Sequence, residues 1–335
     1  MDAAVSAPAG GWVLGVDSGG SGLRVALAAV SASGAVEPGW ETVTAPPVRT
    51  GPAGIDAEQF VARLLPAGRE LLARAGQPGP LVAACVGAAG MATLGAGLRE
   101  RLPGALADGF GVRRWALAAD AVTGYAGALG MRPGVVVAAG TGMIALGTDL
   151  RGWRRADGWG HLLGDCGGGA WIGGRGLAAA LRAHDGRRGG SAALLARAEA
   201  VFGPAGGLPE AVYPRQDRAA VLASFAPEVA SCAPADPVAA EIMAAAAREI
   251  AETAAAAAPG APAGGGGTEV ALTGGLLRLG EPLLAPLRAE LERLLPGCVT
   301  VPAAGDPLAG SLLVAARIAV GGLRLPSDRA LLVVG

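Results

Sequence analysis

Trp12–Val30 reads WVLGVDSGGSGLRVALAAV. An apolar run, Trp12–Asp17, ends in an acid; SGGSG follows, and Leu23–Val30 is apolar again. Two such runs joined by so short a segment predict a β-hairpin, with a turn far richer in glycine than a hairpin needs. Gly19, Gly20 and Gly22 would let backbone N–H groups converge on an anion without interference from Cβ atoms. Asp17 would stand beside that anion, where a carboxylate is tolerable only if Mg2+ bridges the two. Read alone, the turn is explained equally well as an ordinary glycine-rich hairpin.

Working outward, the same pattern returns. Gly134–Ala138 is a predicted strand, Ala139–Gly142 (AGTG) a glycine-bearing turn with the Thr141 hydroxyl, and Met143–Thr148 a returning strand. Glu269–Thr273 is a strand that ends in Gly274 and Gly275 ahead of a helix over Glu281–Leu295, a usual place for a nucleotide to lie. Three glycine turns at strand ends, in a chain without lysine, point to a nucleotide site built from backbone donors and Mg2+. Between them the spacing predicts a third strand over Val36–Thr44 and a helix over Asp56–Gly76 that Pro66 kinks or splits. Further on come a buried strand at Leu81–Val86, a strand at Trp115–Ala119 and a helix from Ala121. After a helix near Ala170–Arg182 a variable Gly/Pro/Ala-rich stretch runs to about Pro237. Pro237–Ala258 is a long alanine-rich helix, the GAPAGGGG run from Gly260 a flexible loop, and Pro307–Val320 a last helix. Strands alternating with helices indicate an α/β protein.

Composition narrows the function. At 335 residues, 52% hydrophobic and 16% charged, the chain is long enough for two lobes. Its 27 basic and 28 acidic residues leave a net charge of −1, and no basic stripe marks a nucleic-acid binder. The chain has no lysine and no asparagine, and only two histidines, His161 and His184. That excludes a GxxxxGK[ST] phosphate loop, a protein-kinase lysine and Schiff-base chemistry, and it disfavours a zinc hydrolase. Cys85, Cys166, Cys232 and Cys298 form no CxxC pair and read as structural thiols of a reducing compartment. Met1–Gly10 lacks the features of a signal peptide and reads as a disordered tail, and no long apolar stretch suggests a membrane span. A cytoplasmic protein is expected.

Asp120 closes the apolar strand WALAAD, so its carboxylate projects from a rigid element at a sheet edge. One carboxylate so placed suits general-base attack of a hydroxyl on a terminal phosphate. The competing reading is a helix N-cap for the segment that begins at Ala121.

Gly158–Gly173 reads GWGHLLGDCGGGAWIG. It resembles the GWGxxxGDEGSxxWI signature of the BadF/BadG/BcrA/BcrD family, especially its N-acetylglucosamine kinase branch. Gly158, Trp159, Gly160, Gly164, Asp165, Gly167, Trp171 and Ile172 match in order. Asp17–Ser21 and Ala139–Gly142 then fall where the family has its two phosphate loops, Asp120–Ala121 at its D-A-x-x-A motif, and Leu272–Gly275 at its adenosine segment. Pro307–Ala315 corresponds to the closing helix.

The resemblance implies a two-lobed actin/hexokinase-like (ribonuclease H-like) α/β fold with ATP in an inter-lobe cleft. Residues 11–131 plus 307–335 would form the N-terminal lobe and 132–306 the C-terminal lobe. It further implies Asp120 as catalytic base, Asp17 as a water-mediated Mg2+ ligand, and ATP contacts from Gly19, Gly20, Ser21, Thr141, Gly274 and Gly275. Gly142, Gly158, Trp159, Gly160 and Asp165 would hold the sugar, since a carboxylate binds a diol through paired hydrogen bonds. Trp171, within a helix, reads as packing. The implied reaction is ATP-dependent phosphorylation of an amino sugar, N-acetylglucosamine at its 6-hydroxyl first, with glucosamine or another hexose as the nearest variant. A partner-driving ATPase and a non-catalytic sugar-binding module are the other functions the family suggests. Partners are a small-molecule sugar, with neither nucleic acid nor membrane; whether the protein is a homodimer is left open. The chain departs from the pattern at Cys166, where Glu is usual, at Gly22, where a basic residue is frequent, and in lacking a sugar-binding Asn around Ala45–Gly51. His161 lies inside the signature without an evident partner in the sequence.

Overall fold

The computed structural model describes residues 11–20, 22–37, 39–51, 54–76, 79–260 and 267–335. The expected tail Met1–Gly10, Ser21 and residues 261–266 of the glycine run lie outside the described residues. The chain divides into two compact units, residues 1–133, 149–153 and 303–335 in the first and 134–148 and 154–302 in the second.

The first unit is built on a six-stranded sheet. Its order is Leu332–Val334, Trp115–Ala119, Leu81–Ala88, Trp12–Gly19, Gly22–Ala29, Glu41–Ala45. Trp12–Gly19 and Gly22–Ala29 form the predicted hairpin, with Asp17 opposite Arg24, while Trp12–Gly19, Leu81–Ala88 and Trp115–Ala119 run parallel. Parallel strands must be covered on both faces, which explains runs such as Val13, Leu14, Val16 and Ala83–Val86, all buried. Helix Pro307–Ala319 packs Leu308, Leu312, Val314 and Ala315 onto this sheet beside helix Asp120–Leu129. Each of the larger side chains, Leu308, Leu312 and Val314, contributes about 1.5–3 kcal/mol on removal from water, before entropy is counted. Residues 149–153 join this unit because Trp153 packs edge-on against Tyr125, with ring centroids 5.4 Å apart, and donates its indole N–H to the Pro326 carbonyl.

The second unit repeats the plan. Gly134–Ala139 and Met143–Thr148 form an antiparallel hairpin, and Glu269–Thr273 and Val299–Val301 add to it in parallel, with Trp153–Asp157 on the opposite edge. The alanine-rich helix Pro237–Ala257 turns Ala246, Ala247, Ile250 and Ala254 into a core shared with Ile172, Phe225, Leu283 and Leu287.

Several expectations need correction. The third strand spans only Glu41–Ala45, because Gly39 at φ 85 interrupts the extended run and Val36 keeps a single bridge to Val30. Pro66 does not split its helix: Ala57–Arg74 is continuous, with Phe60, Leu64, Ala67 and Leu71 buried on one face and Pro66 on the exposed one. The stretch before Pro237 is helical, with elements at Ala192–Phe202, Leu208–Val212, Arg218–Ser224 and Ala226–Cys232. Buried Leu194, Leu208, Phe225 and Val229 anchor them, and that packing outweighs the local glycine and proline content.

Candidate active site

In the first unit the candidate residues collect at the carboxyl ends of the parallel strands, the usual binding edge of such sheets. Trp12–Gly19 delivers Asp17, Gly19 and Gly20 there, and Trp115–Ala119 delivers Asp120 two strands away. At ~4.8 Å per strand that is a separation of about 10 Å. A Cβ at Gly19 or Gly20 would meet nothing within 4 Å, so the glycines there border open space rather than packed neighbours. Asp120 is not the helix cap. It is the first residue of helix Asp120–Leu129, and Ala119, with extended backbone, holds the cap position. The Asp120 side chain is exposed, its Oδ1 accepts the Ala121 N–H at 2.9 Å, and its carbonyl accepts the Thr123 hydroxyl at 3.0 Å.

Asp17 has a partner that the sequence reading missed. Arg24 donates Nη2 and Nε to Asp17 Oδ2, at 2.6 and 3.1 Å, and Nη1 to Asp306 Oδ2 at 2.6 Å. Asp306 in turn caps helix Pro307–Ala319 by accepting the Ala309 N–H at 2.9 Å. Burial raises the Asp17 carboxyl above its ordinary value despite Arg24. At Asp306 burial pushes the same way but is outweighed by the Ala309 N–H and Arg24, and the carboxyl is lowered. The hairpin register that sets Asp17 opposite Arg24, and the Asp306–Pro307 helix start, are the sequence signals that would have found this cluster.

A hydrated Mg2+ fits this edge. It needs only one or two carboxylates beside a nucleotide's own phosphates, and Asp17 and Asp306 are held together there by one guanidinium, with both Asp17 bonds landing on Oδ2. A cage of protein ligands does not: among the described residues no three His, Cys, Asp or Glu side chains gather as a metal site.

In the second unit the structure brings Thr141, Gly142, Gly158, Trp159, Gly160, Asp165, Gly274 and Gly275 to one end of the sheet. The AGTG turn is stitched to the signature segment, since the Gly169 and Ala170 N–H groups donate to the Gly140 and Thr141 carbonyls at 2.8 Å each. A Cβ on Gly142 would overlap the Asp165 carboxylate, and one on Gly274, at φ 101, would overlap the Ala139 carbonyl. Close approach of backbone therefore demands glycine at Gly274, while at Gly142 a side chain would displace the Asp165 carboxylate. Asp165 Oδ1 accepts the Gly160 N–H at 3.0 Å. Burial, with the neighbouring Asp157 charge, raises its carboxyl above the ordinary range against the pull of Gly160, His161 and Arg155.

The loop owes its shape to Asp157 and Arg155, which the sequence reading also missed. Asp157 accepts N–H bonds from Asp165 (2.7 Å), Cys166 (2.9 Å) and Trp159 (3.4 Å). Arg155 donates to the Asp157 and Gly158 carbonyls at 3.1 and 2.6 Å and lies 4.4 Å from the centre of the Trp159 ring. Asp157 and Asp165 both have left-handed backbone, at φ 55 and 54, which aspartate tolerates better than most residues. Trp171 is partly buried against the core, as expected, with Arg175 over its ring at 4.1 Å.

Comparison with known proteins gives these arrangements a setting. The model of the BadF/BadG/BcrA/BcrD ATPase family matches residues 14–315. A stretch of 69 residues is 42% identical to an N-acetylmuramic acid/N-acetylglucosamine kinase of Clostridium acetobutylicum, covering 20% of this chain and 22% of that protein. The chain thus spans about a fifth of the length of that relative. A solved structure described as a candidate N-acetylglucosamine kinase of Chromobacterium violaceum is 27% identical with a TM-score of 0.64, covering 90% of this chain and 98% of its own. A second so described, from Porphyromonas gingivalis, has the same TM-score at 16% identity, with 91% and 98% covered, a likeness of fold.

Proposed function

The chain belongs to the BadF/BadG/BcrA/BcrD ATPase family, and from that premise we propose that it is an ATP-dependent sugar kinase, acting in the cytoplasm on the 6-hydroxyl of N-acetylglucosamine. The observation that carries the reading is the exposed Asp120 carboxylate, fixed at a strand end on the same sheet edge as the open Gly19–Gly20 turn. The full-length likeness to the Chromobacterium violaceum protein supports the choice of sugar.

Phosphoryl transfer asks a protein mainly for positioning and charge compensation. Backbone N–H groups at Gly19 and Gly20, with the Ser21 hydroxyl, and Thr141 in the other turn, receive the ATP phosphates. Gly274 and Gly275 border the adenosine. Asp165, already oriented by Gly160, accepts hydroxyl protons of the sugar, and the loop Gly158–Gly160 with Trp159 lines that side. Asp120 takes the proton of the attacking hydroxyl. Asp17 would hold Mg2+ through water, and the ion would supply neutralisation of phosphate charge when bound. No step calls on a second copy of the chain.

The test is ADP release from Mg-ATP, expected only when an acceptor sugar is present. Asp120→Ala should lower turnover by about two to four orders of magnitude, the usual share of a general base, while nucleotide binding persists. Undiminished turnover by that variant removes Asp120 from the role.

A further inference from the structure

A cavity of about 330 Å³ opens in the second unit beside the signature loop. His161 and Leu162 of that loop form one wall, helix Gly169–His184 another through Leu177 and Ala178, and Val212 and Tyr213 close the far side. The lining side chains are apolar apart from His161, Arg218 and the hydroxyl of Tyr213. Leu162 is 79% exposed and Tyr213 72% exposed, so large apolar side chains stand in water at its mouth. Such exposure marks a surface that meets a ligand.

Two observations tie the cavity to the sugar. The segment that carries Asp165 supplies two of its walls, His161–Leu162 before the acid and helix Gly169–His184 after it. The Leu163 and Gly164 N–H groups both donate to the Gly160 carbonyl, at 3.1 and 2.8 Å, closing one helical turn. His161 directly follows Gly160, whose N–H meets Asp165 Oδ1 at 3.0 Å, so this wall starts one residue from the carboxylate's own partner. The volume lies at the small end of ligand pockets. Its walls offer too few donors and acceptors for a second sugar ring, which would lose hydrogen bonds to water there.

We propose that this cavity is a subsite for an apolar substituent carried by the sugar, an acyl chain longer than acetyl. The inference rests on the kinase reading above and deepens it: the preferred acceptors are hexosamines with longer N-acyl groups, and the acetyl form is the shortest of a series. Each methylene that enters the cavity should raise kcat/KM about fourfold until the space is filled.

The experiment compares N-acetyl-, N-butanoyl- and N-hexanoylglucosamine as acceptors for the whole protein and for Ala178→Trp, which places an indole in the cavity from an exposed helix position. The wild-type protein should favour the hexanoyl sugar over the acetyl sugar by at least about tenfold. Ala178→Trp should abolish that preference and leave the acetyl sugar within about twofold. Equal kcat/KM along the wild-type series overturns the proposal. So does an equal loss for every acceptor in the variant, or a change of oligomeric state that marks the cavity as a contact between copies. If no sugar is phosphorylated, the kinase reading has failed instead. Calorimetric titration of the hexanoyl against the acetyl sugar then decides the cavity by itself, with equal affinities overturning it.

Discussion

Asp157 shows how much of a binding loop can depend on one side chain. Its carboxylate gathers three backbone N–H groups, including that of Asp165, and its own backbone is left-handed. Asp157→Ala removes charge-assisted bonds worth about 1.5–3 kcal/mol each and puts alanine in a conformation it disfavours. The sugar KM should rise about 10- to 100-fold with a smaller change in kcat, and Asp157→Asn, which keeps one acceptor and tolerates the backbone, should recover part of the loss. A loss confined to kcat would show that Asp157 does not act through the loop. Asp165 makes a pH prediction. Its carboxyl is raised by burial, so it takes up a proton at a higher pH than an ordinary carboxylate, and only the ionised form accepts hydroxyl protons at both oxygens. As pH falls, the sugar KM should climb before the range near 3.8 is reached, and Asp165→Asn should flatten that profile. The sign is the reverse for folding. A carboxyl raised in the folded state stabilises it at low pH and loses that contribution as pH rises through the folded value, so acid should impair binding before it unfolds the protein on this account.

Among the elements, helix Pro307–Ala319 is where the first unit's candidate residues are braced. Asp306 caps it, Arg24 links that cap to Asp17, and the Ser311 hydroxyl bonds the Val16 carbonyl at 2.8 Å. Asp306→Ala should cost about 0.5–2 kcal/mol for the lost cap. Thermal denaturation should fall by a few degrees, about 2–4 °C per kcal/mol for a unit of this size. Asp306→Asn, a comparable cap, should restore most of it. The strands, their glycine turns and the last helix were legible in the sequence because hydrophobic runs and glycine at strand ends are local signals. Asp17, Asp120 and Asp165 stand out as candidates through position and resemblance together. The clamp at Arg24 was not, since it joins residues 282 positions apart. Nor was the organising role of Asp157, which depends on a left-handed backbone that no residue spacing announces. Asp120 also read as the cap of the helix that follows it, and a single residue of helix register gives that place to Ala119 instead. The helices before Pro237 escaped because the glycines and prolines between them mask short helical runs; Ala192–Phe202, Arg218–Ser224 and Ala226–Cys232 pack onto Gly169–His184.

For the molecule as a whole, the thiols report whether the cores are closed. Cys85 is fully buried in strand Leu81–Ala88, and burial pushes its thiol up to about 12. Cys166, Cys232 and Cys298 are partly exposed, and burial raises the thiols of Cys166 and Cys298 above the ordinary range. Titration with an aromatic disulfide near neutral pH should label three thiols of the native protein slowly and the fourth only in denaturant; four in the native protein would mean the first unit's sheet is open. The first unit also draws on distant parts of the chain. Its sheet is completed by Leu332–Val334 against Trp115–Ala119, and its main covering helix begins at Pro307, after the entire second unit has been spelled out. On the ribosome, residues 12–129 must therefore wait as an incomplete half while the 134–302 region emerges. The half that carries Asp17 and Asp120 is the last to mature, and a nascent chain cut short before Pro307 releases a well-formed second unit beside an unfinished first.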